Sequence, residues 1–274
     1  MDPADLLYLW PNDRYQQVEP ILKDVIFVYA DPTSPVAERN KSIIGIGKSL
    51  MGPQLWSCIG LGHQHLIQEN RDDFAFSLVS TSLIATKSSS FWKSPLPFVF
   101  RSYVDGLGEQ TVEQMRFVWK LHDEKNRLID SCLKFLTGNA RTRPYRDTVS
   151  QLIDEMISGS LPVDPTLNPA GYNTLTIAYS TDRLCLICKD ERDGLPFKDI
   201  KKYFFSVSRG ENLPTSGGNI WARLPVVVNL STNFYYYSKI GSGSSMVVLI
   251  DMRKGLRDLE SYPKNVHLFE VKNS

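Results

Sequence analysis

The first third of the chain alternates short apolar runs with polar, glycine- and proline-containing connections. The run 24–30 (DVIFVYA) is rich in β-branched and aromatic residues, which is typical of a buried strand. Similar runs predict four further strands, at 42–45, 55–60, 74–86 and 98–104. This part of the chain is therefore predicted to be mostly β.

The middle of the chain has helical periodicity. Thr111, with Gln114 three residues later, fits a capping box and predicts a helix that ends at Gly138. A second helix is predicted to begin after Arg143. Its apolar residues fall three or four positions apart, as on one face of a helix: Val149, Leu152, Ile153, Met156 and Ile157.

The last part returns to strand patterns after a proline-rich segment at 161–172, which predicts a linker. A hairpin is predicted at 174–179 and 184–188, and a short helix at 197–204. Further strands are predicted at 223–230, 234–240, 246–251 and 266–271. The fold class is therefore α+β, with a β-rich N-terminal part, a central pair of helices and a β-rich, mostly antiparallel C-terminal part.

The proline-rich segment also predicts a division into two parts, 1–160 and 161–274, although one continuous domain is the alternative. The chain has 274 residues, which suits either arrangement. Aromatic residues make up 11% of the chain, a composition that argues against disorder.

Charge and cysteine content bear on partners and on compartment. The net charge is +1, so composition alone does not favour a nucleic-acid or membrane surface. Four cysteines and an acidic N-terminal start predict a cytoplasmic, reducing location. The longest charge-free stretch, 49–68, contains proline, glutamines and histidines, so no membrane span is predicted.

Two surface segments are candidate binding sites. Arg141, Arg143 and Arg146 form a basic stretch between the two helices and are predicted to hold phosphate or nucleic acid, helped by the N-terminus of the second helix. Pro32-Thr33-Ser34-Pro35 forms a turn and fits the short pattern by which viral matrix and capsid proteins recruit host budding machinery. A plain proline-rich turn after the first strand is the favoured explanation of this segment.

The strand Phe234–Tyr237 is aromatic on both faces, because side chains alternate along a strand. One core can cover only one of these faces. Tyr235 and Tyr237 are therefore predicted to bind a partner, and a second packed layer within the chain is the competing explanation.

Candidate catalytic residues are few. Cys58, His63 and His65 lie close enough in sequence to suggest a cysteine–histidine hydrolase or a metalloenzyme. No catalytic constellation is complete, so the balance is against an enzyme, and no metal or cofactor is predicted. Cys185 and Cys188 lie within a strand pattern, where residues three apart point to opposite faces, so they predict buried thiols rather than a zinc site.

Together these observations predict a non-enzymatic structural or interaction protein. The example considered is a self-assembling viral matrix- or capsid-like subunit that pairs with copies of itself or with another protein. The first alternative is a nucleic-acid-binding protein that uses the basic loop between the helices. The second is a hydrolase or metalloenzyme that uses Cys58, His63 and His65.

Overall fold

A computed structural model describes residues 12–36, 42–100, 111–119, 124–160, 173–190, 197–211, 220–239 and 242–270. These residues contain both helices and strands, which confirms the α+β class. The helices are α1 Asn12–Leu22, α2 Pro53–Gly60, α3 Phe74–Thr86, α4 Ser88–Lys93, α5 Leu96–Val99, α6 Lys125–Thr137, α7 Arg146–Ser160, α8 Phe197–Ser208, α9 Ile220–Asn229 and α10 Leu256–Leu259. The strands are β1 Val25–Tyr29, β2 Ser42–Gly47, β3 His65–Gln68, β4 Glu113–Trp119, β5 Asn173–Tyr179, β6 Arg183–Asp190, β7 Asn233–Lys239, β8 Gly243–Asp251 and β9 Asn265–Glu270.

Contacts between these residues divide the chain into two compact units, neither of which is continuous in sequence. Unit 1 draws on 1–108, 197–212 and 263–269, and unit 2 on 109–196, 213–262 and 270–274. The two central helices and the hairpin β5–β6 fall in the same unit. The predicted linker at 161–172 lies outside the described residues. None of the described helices is long and apolar enough to cross a membrane.

Unit 1 contains three neighbouring parallel strands, β1, β2 and β3, and β9 pairs antiparallel with β3. Parallel neighbours need a crossover connection, and α2 supplies it between β2 and β3. Helix α2 packs closely on α8. A Cβ at Gly60 would lie 2.7 Å from Cα of Phe205, and Trp56 stacks on Phe204 at 5.1 Å between ring centroids.

Strand β9 is held in unit 1 by buried polar contacts. The side-chain oxygen of Asn265 accepts a hydrogen bond from the backbone N–H of Gln68 at 2.9 Å, and its amide nitrogen donates to Ser77 Oγ at 2.9 Å. Arg71 donates to the backbone oxygen of Pro263 and pairs with Asp73 through two hydrogen bonds. Because these groups are buried, their mutual satisfaction fixes where β9 joins the unit.

Unit 2 contains five antiparallel strands in the order β4-β5-β6-β8-β7. Strands β5 and β6 form the predicted hairpin, and the predicted strands 234–240 and 246–251 correspond to β7 and β8. Helix α7 packs on β6 and α9. Its predicted apolar stripe is completely buried, so that prediction is confirmed.

Several predicted strands are wrong, because those segments are helices. The segment 55–60 lies in helix α2, the segment 74–86 is helix α3, and most of the segment 223–230 lies in helix α9. Helix α3 is buried around most of its circumference, with serine and threonine hydroxyls among its buried apolar residues, and therefore shows no 3.6-residue period. In the predicted strand 98–104, Phe98 and Val99 are instead the last two residues of helix α5. Residues 101–104 of this segment lie outside the described residues.

Two features of the predicted arrangement also need correction. The capping box at Thr111 does not start a helix, since residues 113–119 form β4 and the helix begins at Lys125. The predicted β-rich N-terminal part holds several helices, and its strands β1, β2 and β3 are parallel. The mostly antiparallel description therefore applies to unit 2.

Candidate phosphate-binding site

A cleft of about 670 Å³ lies in unit 2, where three connections meet. They are the segment between α6 and α7, the turn between β5 and β6, and the segment that leads from β8 into α10. Among the described residues that line this basic cleft, the charged ones are Arg141, Arg253, Lys254, Arg257 and Asp258. Four positive side chains thus face one negative one, in a chain whose overall charge is +1.

The backbone around the basic cleft is fixed by buried side chains. Thr142 is fully buried and donates its hydroxyl proton to the backbone oxygen of Leu136, which holds the connection against the end of α6. The hydroxyl of Tyr145 lies 3.0 Å from the backbone oxygens of Met252 and Lys254. Burial raises the pKa of Tyr145, so the phenol keeps the proton that it donates. These contacts tie two of the three connections together.

Two of the four basic side chains are held in place by neighbours. Arg253 donates from Nε and Nη2 to the carboxylate of Asp251, at 2.8 and 2.5 Å. Lys254 Nζ lies 5.1 Å from the centre of the Tyr262 ring. The carboxylate of Asp251 partly neutralises the guanidinium of Arg253. The ring of Tyr262 orients the ammonium group of Lys254 without adding a negative charge.

The other two basic side chains are exposed and not neutralised. Neither Arg141 nor Arg257 makes a side-chain hydrogen bond or ion pair with the residues that the structure describes. A guanidinium offers five N–H donors in a planar fork that matches a phosphate group. The guanidinium groups of Arg141 and Arg257 are therefore available to bind a phosphate group, beside the positioned side chains of Arg253 and Lys254.

The predicted basic residues are only partly brought together. Arg141 lines the basic cleft, whereas the side chain of Arg143 turns back to the oxygen of Thr137, with Nε and Nη2 both at 3.3 Å. Arg146 is exposed at the start of α7 and does not line the cleft. Asp147 places a negative charge in the first turn of α7, so the helix terminus adds little attraction for an anion.

Sequence reasoning missed the other half of the basic cleft. Arg253, Lys254 and Arg257 follow directly after the apolar strand that ends at Asp251. The cluster of basic residues after this strand could have been recognised in the sequence. That the cluster lies near Arg141 could not have been predicted, because the two segments are brought together by the pairing of β6 with β8 and by the hydroxyl of Tyr145.

The Pro32–Pro35 segment forms an exposed turn in unit 1. Asp31 accepts hydrogen bonds from the backbone N–H and hydroxyl of Thr33 and from the hydroxyl of Ser34, at 2.9, 2.7 and 2.9 Å. These bonds lower the pKa of Asp31. Ser57 on α2 donates to the backbone oxygen of Pro32. The turn is thus fixed by its own side chains, and its predicted role in partner binding stays a prediction.

Tyr235 and Tyr237 are both buried within the chain, as are their neighbours Phe234 and Tyr236. Residues of the protein itself therefore cover both faces of β7. The competing explanation given by the sequence, internal cover on both sides, describes this strand, and the two tyrosines no longer support an interface.

Cys58, His63 and His65 are all buried. Burial raises the pKa of the Cys58 thiol to about 11, so it is protonated and unreactive at neutral pH. Burial also lowers the pKa of His63, and lowers that of His65 to about 3. Neither imidazole has a hydrogen-bond partner for Nδ1 among the described residues. This geometry gives no support to a cysteine–histidine nucleophile.

Metal ligands do not cluster in the part of the chain that the structure describes, where no group of three or more His, Cys, Asp or Glu side chains could hold an ion. His65 and His267 are register partners on β3 and β9, with ring centroids 6.0 Å apart. Cys185 and Cys188 are buried in β6, and all four cysteines are free thiols.

Comparison with known proteins gives no family for this chain. No protein-family model matches it, and the search of curated proteins finds no significant match.

Proposed function

We propose that this protein binds nucleic acid through the phosphate backbone, at the basic cleft of unit 2. The observation that carries the proposal is the convergence of Arg141, Arg253, Lys254 and Arg257 on one concave surface of a nearly neutral chain. Phosphate contacts supply most of the affinity in sequence-independent binding.

The composition of the cleft favours backbone contacts over base recognition. Among the described lining residues the aromatic side chain is Tyr145, which is buried and whose hydroxyl is engaged by backbone oxygens. Stacking of bases needs an exposed aromatic face. We therefore expect binding with little sequence preference, in the range of about 10⁻⁴–10⁻⁶ M that is usual for non-specific complexes at physiological salt.

The proposal is tested by fluorescence anisotropy with labelled single- and double-stranded oligonucleotides. Arg141→Ala and Arg257→Ala should each weaken binding, by roughly three- to tenfold, because each removes a charge-assisted contact. Arg127→Ala is the matched control. Arg127 is exposed on α6 in the same unit but does not line the basic cleft, so this variant should bind like the wild type.

A substitution of opposite sign sharpens the test. Asp258→Asn removes the acidic side chain that lines the basic cleft and should tighten binding by a few-fold, because phosphate repulsion is relieved. Failure of the wild type to bind any oligonucleotide would end the proposal. So would competition by a mononucleotide at the same concentration of phosphate groups, since a small-ligand pocket would explain it better.

A further inference from the structure

Two histidines lie opposite each other where β9 pairs with β3. His65 on β3 and His267 on β9 are register partners, and their ring centroids are 6.0 Å apart. Both side chains are buried, and the ring of His65 also contacts that of Phe269, at 4.5 Å between centroids. A titratable pair thus occupies the centre of the β3–β9 junction, which comprises residues 64–68 and 265–268.

The β3–β9 junction contains little backbone pairing. Two register pairs join the strands, one of them the histidine pair, and the N–H of Leu268 donates to the backbone oxygen of Gln64 at 2.7 Å. Strands β1 and β2, by comparison, are paired at five register positions. Side chains supply the other hydrogen bonds across the junction, from Gln68, Asn265 and Arg71. Less backbone pairing has to be broken here than between β1 and β2.

The buried charges near the histidine pair are predominantly positive. Among the described residues of unit 1, the buried charged side chains are Arg71, Lys264 and Asp73. Asp73 accepts two hydrogen bonds from Arg71. Burial lowers the pKa of His267, and the neighbouring charges of His65 and Arg71 lower it further. A proton added to His267 therefore meets positive neighbours.

The other titratable groups nearby do not face the pair. Strand β2 and helix α3, which pack on β3, contain no titratable side chain. In α4, which contacts β9 through an aromatic pair, Lys93 is exposed, and so is Asp72 in the segment after β3. Glu270 ends β9 and points to the opposite face of the strand from the histidine. Glu69 lies four residues beyond the histidine of β3, or about 13 Å along an extended chain.

We infer that the β3–β9 junction opens on its own in mild acid, when His65 and His267 take up protons, while β1 and β2 stay paired. Two imidazolium ions at this distance in a buried site repel each other, and like charges opposite one another on neighbouring strands are destabilising. Separation of the strands exposes both rings to water, where each can carry its charge. The hydrogen bonds of Gln68 and Asn265 involve no group that titrates between pH 5 and 7, so they resist opening equally across this range.

Amide hydrogen exchange of the full chain, followed by NMR and corrected for the intrinsic effect of pH, tests the inference. The reporter is the N–H of Leu268, which bonds across the junction. Its protection should fall about tenfold for each histidine between pH 7.5 and 5.5, and thus about a hundredfold in total. At pH 5.5 its exchange should depend little on urea below the unfolding transition, because a local opening exposes little surface.

The slowest amides of β1 and β2 are the reference, since they exchange by unfolding of the whole unit and should depend strongly on urea. If Leu268 has the same protection and the same urea dependence as these amides at pH 5.5, the junction opens only when the unit unfolds, and the inference is wrong.

Histidine variants assign the effect. His65→Phe and His267→Gln should each reduce the change in Leu268 protection between the two pH values by about tenfold. His63→Gln is the matched control. The imidazole of His63 packs over Gly45 of β2, where a Cβ would lie 2.9 Å from Nδ1, so this variant should keep the full change. An unaltered change in the double variant His65→Phe/His267→Gln would assign the opening to other groups and overturn the inference.

Discussion

The two units of this protein are built on opposite principles. Unit 1 has three parallel strands and closes them with β9, so that Gln68 bonds to Asn265, 197 positions away. Unit 2 is antiparallel and is largely assembled from the hairpins β5–β6 and β7–β8. Buried polar contacts between distant segments therefore place β9 in unit 1, whereas hairpin pairing between apolar strands accounts for much of unit 2.

The largest effect is expected from the apolar core of unit 2. Leu152→Ala should lower the free energy of unfolding by about 2–5 kcal/mol, because Leu152 is completely buried on α7 and leaves a cavity. Urea unfolding measures the change. Gln151→Ala, one position earlier and exposed, is the control. A loss as small as that of the control would show that α7 is not part of a packed core.

The polar contact that joins β9 to unit 1 is the next largest. Asn265→Ala removes the acceptor for the N–H of Gln68 and the donor to Ser77, both buried, and should cost about 1–3 kcal/mol. Hydrogen exchange should show the lost protection in β3 and β9. Asn229→Ala, at an exposed position in α9, is the control. Unchanged protection in β3 would contradict the role given to this contact.

The buried histidines of unit 1 predict sensitivity to mild acid. The pKa of His65 is lowered by burial from 6.5 to about 3, so the unfolded chain binds a proton that the folded chain excludes. The stability that this provides is complete above about pH 6.5 and is lost as pH falls toward 3. His267, also buried and with its pKa lowered mainly by burial, acts with the same sign.

We expect His65 to account for about 1.4 kcal/mol of lost stability for each pH unit below 6.5. Urea unfolding at pH 7.5 and 5.5 measures this, in a range above that in which Asp31 titrates. His65→Phe, which preserves a ring against Phe269, should reduce the dependence by about this amount and leave the part that comes from His267. Equal slopes for this variant and the wild type would assign the acid sensitivity to other groups.

The same contrast explains part of what could be predicted from the sequence, although β4 and α9 of unit 2 were also predicted wrongly. In unit 2 the hairpin β5–β6, the strands β7 and β8, and the stripe of α7 follow local patterns, so they were predicted correctly. In unit 1, α2 and α3 are buried on most sides, and a helix without a polar face resembles a buried strand. The return of β9 to β3 depends on contacts that no local pattern records.

The residues of the basic cleft were also predicted only where a local sequence pattern marked them. Arg141 was found because it belongs to a basic stretch, but Arg253, Lys254 and Arg257 come more than a hundred residues later. Only the sheet of unit 2 and the hydroxyl of Tyr145 place them together. The aromatic strand β7 misled in the opposite direction, since its pattern could not show that the chain covers both faces.

The most direct test of the central claim is the salt dependence of oligonucleotide binding. The logarithm of the association constant should fall linearly with the logarithm of salt concentration, with a slope set by the number of phosphates contacted. The double variant Arg141→Ala/Arg257→Ala should reduce that slope by about 1.4–1.8, whereas Arg127→Ala should leave it unchanged. Equal slopes for the wild type and the double variant would show that the basic cleft does not hold the phosphates.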